Sequence, residues 1–177
     1  MHYLSIDCAY KTFGWAYCKY EPAFELIDCG VDNVLGKRTV SSLDGVSRAR
    51  LLKEYLNATF SKIRPDTVIV LESQFRKGSP SYVVQQQLIY HFCNHPVVVV
   101  KPTLKWNLRT GAYAAQAGPN YAPPRTKKRT VEDALGLPGV QATLKAHKIQ
   151  PHKYEHVCDA IAQLHAYMLS LPAGHTV

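Results

Sequence analysis

The chain has 177 residues, of which 46% are hydrophobic and 19% charged, with 21 Lys and Arg against 13 acidic residues and a formal charge of +8. That length suits one folded domain that buries about 70% of its unfolded surface without staples, and the composition is that of a globular protein, with disorder expected in one loop at most. Its longest apolar run, around Val97 to Val100, is far short of the ~20 residues of a membrane span, so neither a membrane anchor nor a signal peptide is expected.

In chain order, Tyr3 to Asp7, Gly14 to Cys18 and Phe24 to Gly30 read as three strands joined tightly into an antiparallel meander. From Ser47 to about Ile63, Leu51, Leu52, Tyr55, Leu56 and Phe60 recur at helical spacing, and Pro65 closes the helix. Thr67 to Glu72 is an apolar run suited to a strand buried on both faces. Ser79 and Pro80 supply an N-cap and a first helical residue, Val84, Leu88 and Phe92 mark a buried stripe up to Asn94, and Pro96 stops it. Val97 to Val100 form a fifth strand that ends at Lys101. Glycines and prolines between Arg109 and Lys128 predict a long loop, followed by a short helix near Thr130 to Leu135 and a final helix from about Lys153 to Leu171.

Five cysteines, odd in number and without a CxxC pair, are expected as buried free thiols in a reducing compartment. Cytoplasmic residence follows as an expectation, with a viral or mitochondrial-matrix setting as the alternative. Lys101, Lys105, Arg109, Arg125, Lys127, Lys128 and Arg129 crowd into one stretch, which predicts a surface patch for phosphate backbones.

Two carboxylates stand out because they end apolar strands: Asp7 and Glu72. A buried charge there needs a cation, hydrogen bonds or a proton, and a nearby Lys or a turn would also satisfy it. His156 and Asp159 stand three apart near the start of the last helix, so they share a face that can reach toward strand ends. Ala162 and Ala166 follow Asp159 on the same side and let that helix approach the sheet closely. Three carboxylates and an imidazole suit Mg²⁺ or Mn²⁺ better than structural zinc. Two such ions ~4 Å apart support phosphodiester hydrolysis.

The element order resembles the ribonuclease H-like fold: a mixed five-stranded sheet, three antiparallel strands then two parallel ones, flanked by helices and spanning residues 1–177 as a single nuclease domain with a basic loop at about 105–128. The segments Ile6-Asp7 through Gly14, Leu71 to Phe75 and His156 to Ala162 resemble the three catalytic segments of RuvC-type Holliday-junction resolvases, and a Lys ending the fifth strand is similar to the poxvirus branch. The resemblance implies metal ligands at Asp7, Glu72 and Asp159, with His156 as the fourth or Glu155 as its substitute. It places Lys101 beside the reacting phosphate and Phe75 near the junction crossover, where core packing is the alternative. It also puts Lys127 and Lys128 in a basic DNA-contacting segment, and Arg76, Lys77, Lys105, Arg109, Arg125 and Arg129 are expected to contact DNA as further basic residues.

The activity implied is paired symmetric nicking of four-way DNA junctions by a homodimer with two Mg²⁺ or Mn²⁺ ions per site. The alternatives are a non-catalytic junction-binding protein on the same fold and a hydrolase of RNA/DNA hybrids. A sugar-kinase or actin-like ATPase would need a second similar half, for which 177 residues are too few.

Overall fold

The computed structural model describes residues 1–21, 23–104 and 127–171, with the Arg129 side chain outside that description. Lys105, Arg109, Arg125 and most of the expected basic loop therefore lie outside the described residues. Strands β1 (His2–Ile6), β2 (Phe13–Tyr20), β3 (Phe24–Asp32), β4 (Val68–Glu72) and β5 (Val97–Val100) form one sheet in the order β3-β2-β1-β4-β5. β1, β2 and β3 pair antiparallel, whereas β4 pairs parallel with both β1 and β5. This is the mixed sheet expected from the sequence.

The period of two in each strand sends side chains to opposite faces and gives each face its own core. Leu4, Ile6, Ile69 and Leu71 meet Leu52, Leu56 and Phe60 of α1 (Gly45–Phe60) and Val84 and Leu88 of α2 (Pro80–His91). On the opposite face, Tyr3, Cys18, Val68 and Val70 meet Leu164, Tyr167 and Met168. Ala16, Leu26 and Cys29 meet Val157, Cys158, Ala160 and Ile161 there. β4 is covered on both sides, which is why its sequence does not alternate.

α1 begins two residues earlier than the periodicity predicts, because Asp44 caps it by accepting from the Ser47 backbone N–H at 2.9 Å. Ser79 caps α2 as expected, accepting from the Tyr82 N–H. α3 (Lys127–Leu135) starts a turn earlier than predicted, and α5 (Tyr154–Ser170) matches the expected last helix.

Between them lie α4 (Val140–Ala146), which the sequence reading missed, and a 3-10 turn at Pro151–Lys153. α4 ends with Lys148 at φ 54°, the one non-glycine residue with positive φ among those described. The Lys148 and Ile149 N–H groups return to the Lys145 and Leu144 carbonyls. A glycine is usual at such a helix end, and a side chain there costs about 1 kcal/mol.

Four cysteines are buried, Cys93 is exposed, and all five are free. Among the described residues, no helix is long and apolar enough to cross a membrane.

Candidate active site

Asp7 immediately follows β1, and Glu72 is the last residue of β4. The parallel register pairs Ile6 with Leu71, so these carboxylates leave adjacent strands at the same level, about 5 Å apart at the backbone. The buried Cys8 thiol reports both of them: burial raises its pKa first, and the charges of Asp7 and Glu72 raise it further. That thiol is a neutral neighbour rather than a thiolate ligand.

The third contribution comes from α5, and its position depends on Gly14. The Asp7 N–H donates to the Gly14 carbonyl at 2.8 Å, which sets β2 beside the carboxylate. A Cβ on Gly14 would stand 2.4 Å from the His156 carbonyl oxygen, so only glycine lets the start of α5 lie this close to β2. Further along the same helix Ala162 and Ala166 are buried, and the Gln163 side chain donates to the Val70 carbonyl at 3.1 Å. The expected close approach of this helix to the sheet is present.

His156 thereby reaches Asp7, with Nδ1 3.7 Å from Oδ2 and the two side chains 25% and 30% exposed. This is an ion-pair separation rather than a short hydrogen bond. The Asp7 side chain raises the His156 pKa above the ordinary histidine value, against the opposing effect of partial burial. Asp159 lies one turn further on the same face, half-buried.

Positive charge arrives from α3. Lys127 Nζ forms an ion pair with Glu155 Oε1, and its pKa is raised first by that contact, then by the charges of Glu155, Asp159 and Asp7. The ammonium therefore stands in the field of the acidic cleft. Glu155, the alternative fourth metal donor, accepts from Lys127.

The other predicted residues follow strands β4 and β5 or lie on α3. Lys101 is exposed directly after Val100, the register partner of Glu72. Phe75 is 74% exposed, which overturns the core-packing alternative, and Arg76 and Lys77 beside it are exposed as well. Lys128 is exposed and stands 3.9 Å from Glu132 on its own helix.

The donor chemistry fits a hard divalent cation: carboxylate oxygens and one imidazole, partly solvated, at one end of the sheet. These donors are not drawn into a ligand shell, since no three His, Cys, Asp or Glu among the described residues stand close enough to hold an ion.

Compared with solved structures, the chain is similar to RuvC of Thermus thermophilus in complex with a Holliday junction substrate, with a TM-score of 0.62, 16% identity and 96% of each chain covered. A second Thermus thermophilus RuvC structure gives 0.61 and 17% over 96% of each chain. The Holliday junction resolvase of fowlpox virus gives 0.60 and 16%, covering 97% of this chain and 100% of that one.

The chain has the RuvC-type resolvase fold.

No protein-family model matches the sequence, and neither does any curated protein. At 16% identity the RuvC-type likeness resides in the path of the backbone, and the site rests on the residues described above. Three features of this candidate site escaped sequence reading: the tight seat at Gly14, the Lys127–Glu155 pair and the Cys8 thiol near two carboxylates. A glycine at the start of an apolar strand was the available signal for the first, because such glycines often mark a close backbone approach. The second joins residues 28 apart and had no local signal.

Proposed function

We propose that this chain is a metal-dependent endonuclease that resolves four-way DNA junctions by paired symmetric nicks, in recombination and repair. The observation that carries the reading is a RuvC-type sheet in which Asp7 and Glu72 leave adjacent parallel strands at one level and Asp7 pairs with His156 of the last helix. Residues 1–177 act as one nuclease domain.

In this reading Asp7, Glu72, Asp159 and His156 hold Mg²⁺ or Mn²⁺, two ions per site. When bound, the metal supplies an activated water and charge neutralisation at the leaving oxygen for phosphodiester hydrolysis, giving 5′-phosphate and 3′-hydroxyl ends. Asp7 orients His156 by its ion pair. Lys127 and Lys101 place cationic side chains where the scissile phosphate gains negative charge. The exposed ring of Phe75 stacks on a base at the crossover, a contact worth ~1 to 3 kcal/mol. Arg76, Lys77 and Lys128, with Lys105, Arg109, Arg125 and Arg129, hold backbone phosphates. Two coordinated cuts require two sites, so the active species is a homodimer, with α2 as its contact.

The deciding experiment is cleavage of a labelled four-way junction in Mg²⁺ by the wild type and by Asp7→Asn. The wild type is expected to nick opposing strands, and the variant to lose at least about a hundredfold in rate. Retained cleavage by the variant would remove the proposal. A flap and an RNA/DNA hybrid tested alongside establish selectivity, and equal rates on all three substrates would refute it. A second reading, junction binding without turnover, is motivated by His156, which leaves the donor set one acidic ligand fewer. Tight binding with no nicks in Mn²⁺ would decide for it.

A further inference from the structure

Away from the acidic cleft, a groove of about 440 Å³ runs between the free edge of β3 and the turn that follows α4. Its floor is Trp15 and Gly30, and its rim carries His147, Lys148 and Lys153. The acidic residues of the groove are already engaged. Asp32 accepts from Trp15 Nε1 at 3.2 Å and from the Tyr55 hydroxyl at 2.7 Å. Asp28 accepts from the Cys29 N–H at 2.8 Å and faces His147 at 3.4 Å.

The lysines differ in this respect. Lys145, Lys148 and Lys153 are exposed and enter none of the ion pairs among the described residues. Within nine residues, 145–153, the chain sets three lysines and two histidines with no acidic residue between them. Lys148 holds its charge at a left-handed backbone position that favours glycine. A backbone outlier that keeps a long cationic side chain on a groove rim points to a role for that side chain.

Its position relative to the cleft is set by the sheet. Asp7 bonds to Gly14 of β2, and Gly14 pairs with Val31 of β3, which lines the groove. Two strand spacings put Val31, at one side of the groove, about 10 Å from Asp7 at the backbone. Duplex DNA carries a charge every ~1.7 Å of its axis, so a duplex with one phosphate in the cleft presents others over the groove.

We propose that Lys145, Lys148 and Lys153 form a second phosphate-binding surface, which holds a duplex arm of the same nucleic acid outside the catalytic cleft. This rests on the nucleic-acid reading above. The surface carries no catalytic residue, and its contribution is arm affinity and orientation.

The test is equilibrium binding of a fluorescein-labelled synthetic four-way DNA junction in EDTA across a salt series, with thermal unfolding of each protein measured in parallel. Lys148→Gly is expected to melt no lower than the wild type while binding roughly threefold or more weakly, with the log–log salt slope reduced by about 1. Adding Lys153→Gln should reduce the slope by about 2 in all. A lower melting temperature with unchanged affinity and slope would overturn the proposal, because Lys148 would then serve only the end of α4. A wild type that nicks the junction, with Lys148→Gly binding unchanged, overturns the arm surface alone. A wild type that never nicks, but whose binding weakens on Lys148→Gly, overturns the nuclease reading and supports the surface. A wild type that binds no nucleic acid overturns both.

Discussion

Asp7 and Glu72 were legible as sequence because a carboxylate ending an apolar run has no cheap explanation, and His156 and Asp159 because their spacing puts them on one helix face. What sequence could not supply was the direction of each side chain. Glu155 is adjacent to His156, yet it turns to Lys127 of another helix. Phe75 was equally compatible with a core site and is found exposed. The cysteines give a prediction at this scale. Burial pushes the Cys29 and Cys158 thiols up to about 12, and those of Cys8 and Cys18 upward as well. A raised thiol pKa leaves almost no thiolate at pH 8, and burial blocks access, so only the exposed Cys93 should react promptly. Titration of the native protein with a maleimide, followed by intact mass, should show one rapid adduct, and five after denaturation. A second rapid adduct at Cys158 would mean that α5 does not seat on the sheet as described.

Elements with a long apolar period were read from sequence nearly to their ends, while short ones were not. The five strands and both long helices were placed correctly, because each buries a continuous stripe. α4 escaped because seven residues contain only two buried side chains, Val140 and Leu144, too few to establish a period. The boundary errors at α1 and β3 have a similar origin: Asp44 extends the helix through a cap, and pairing with Phe13 extends β3 to Asp32. The seat of α5 on β2 yields the sharpest prediction for an element. Gly14→Ala forces the strand and the helix apart at His156, an overpacking expected to cost about 1 to 3 kcal/mol of stability. It should also lower junction cleavage more than junction binding, since His156 and Asp159 both ride on the displaced helix. Chemical denaturation with parallel cleavage and binding assays checks this, and unchanged stability would disprove the tight seat.

For the whole molecule, the charge of +8 favours a polyanionic partner, and the paired-nick reading proposed above calls for two sites and hence a dimer. A 19.8 kDa chain is expected to sediment as a dimer. Tyr90, 83% exposed on α2, is the side chain to test. Tyr90→Glu should shift the protein toward monomer and turn paired cuts into single nicks, and a variant that stays dimeric would exclude that face as the contact. Fold class was legible at this scale because element order survives where residue identity does not; the three resolvase structures agree with it at 16 to 17% identity. The distribution of the cleft along the chain has a further consequence for synthesis. Asp7 is made early, Glu72 midway, and His156 and Asp159 only with α5. A ribosome-bound chain that lacks α5 therefore carries two of the four side chains and has no partner for Asp7 from that helix. If the nuclease reading proposed above holds, incomplete or truncated products of translation are expected to be inert toward nucleic acid cleavage, a safeguard that comes from the order of synthesis rather than from any inhibitor.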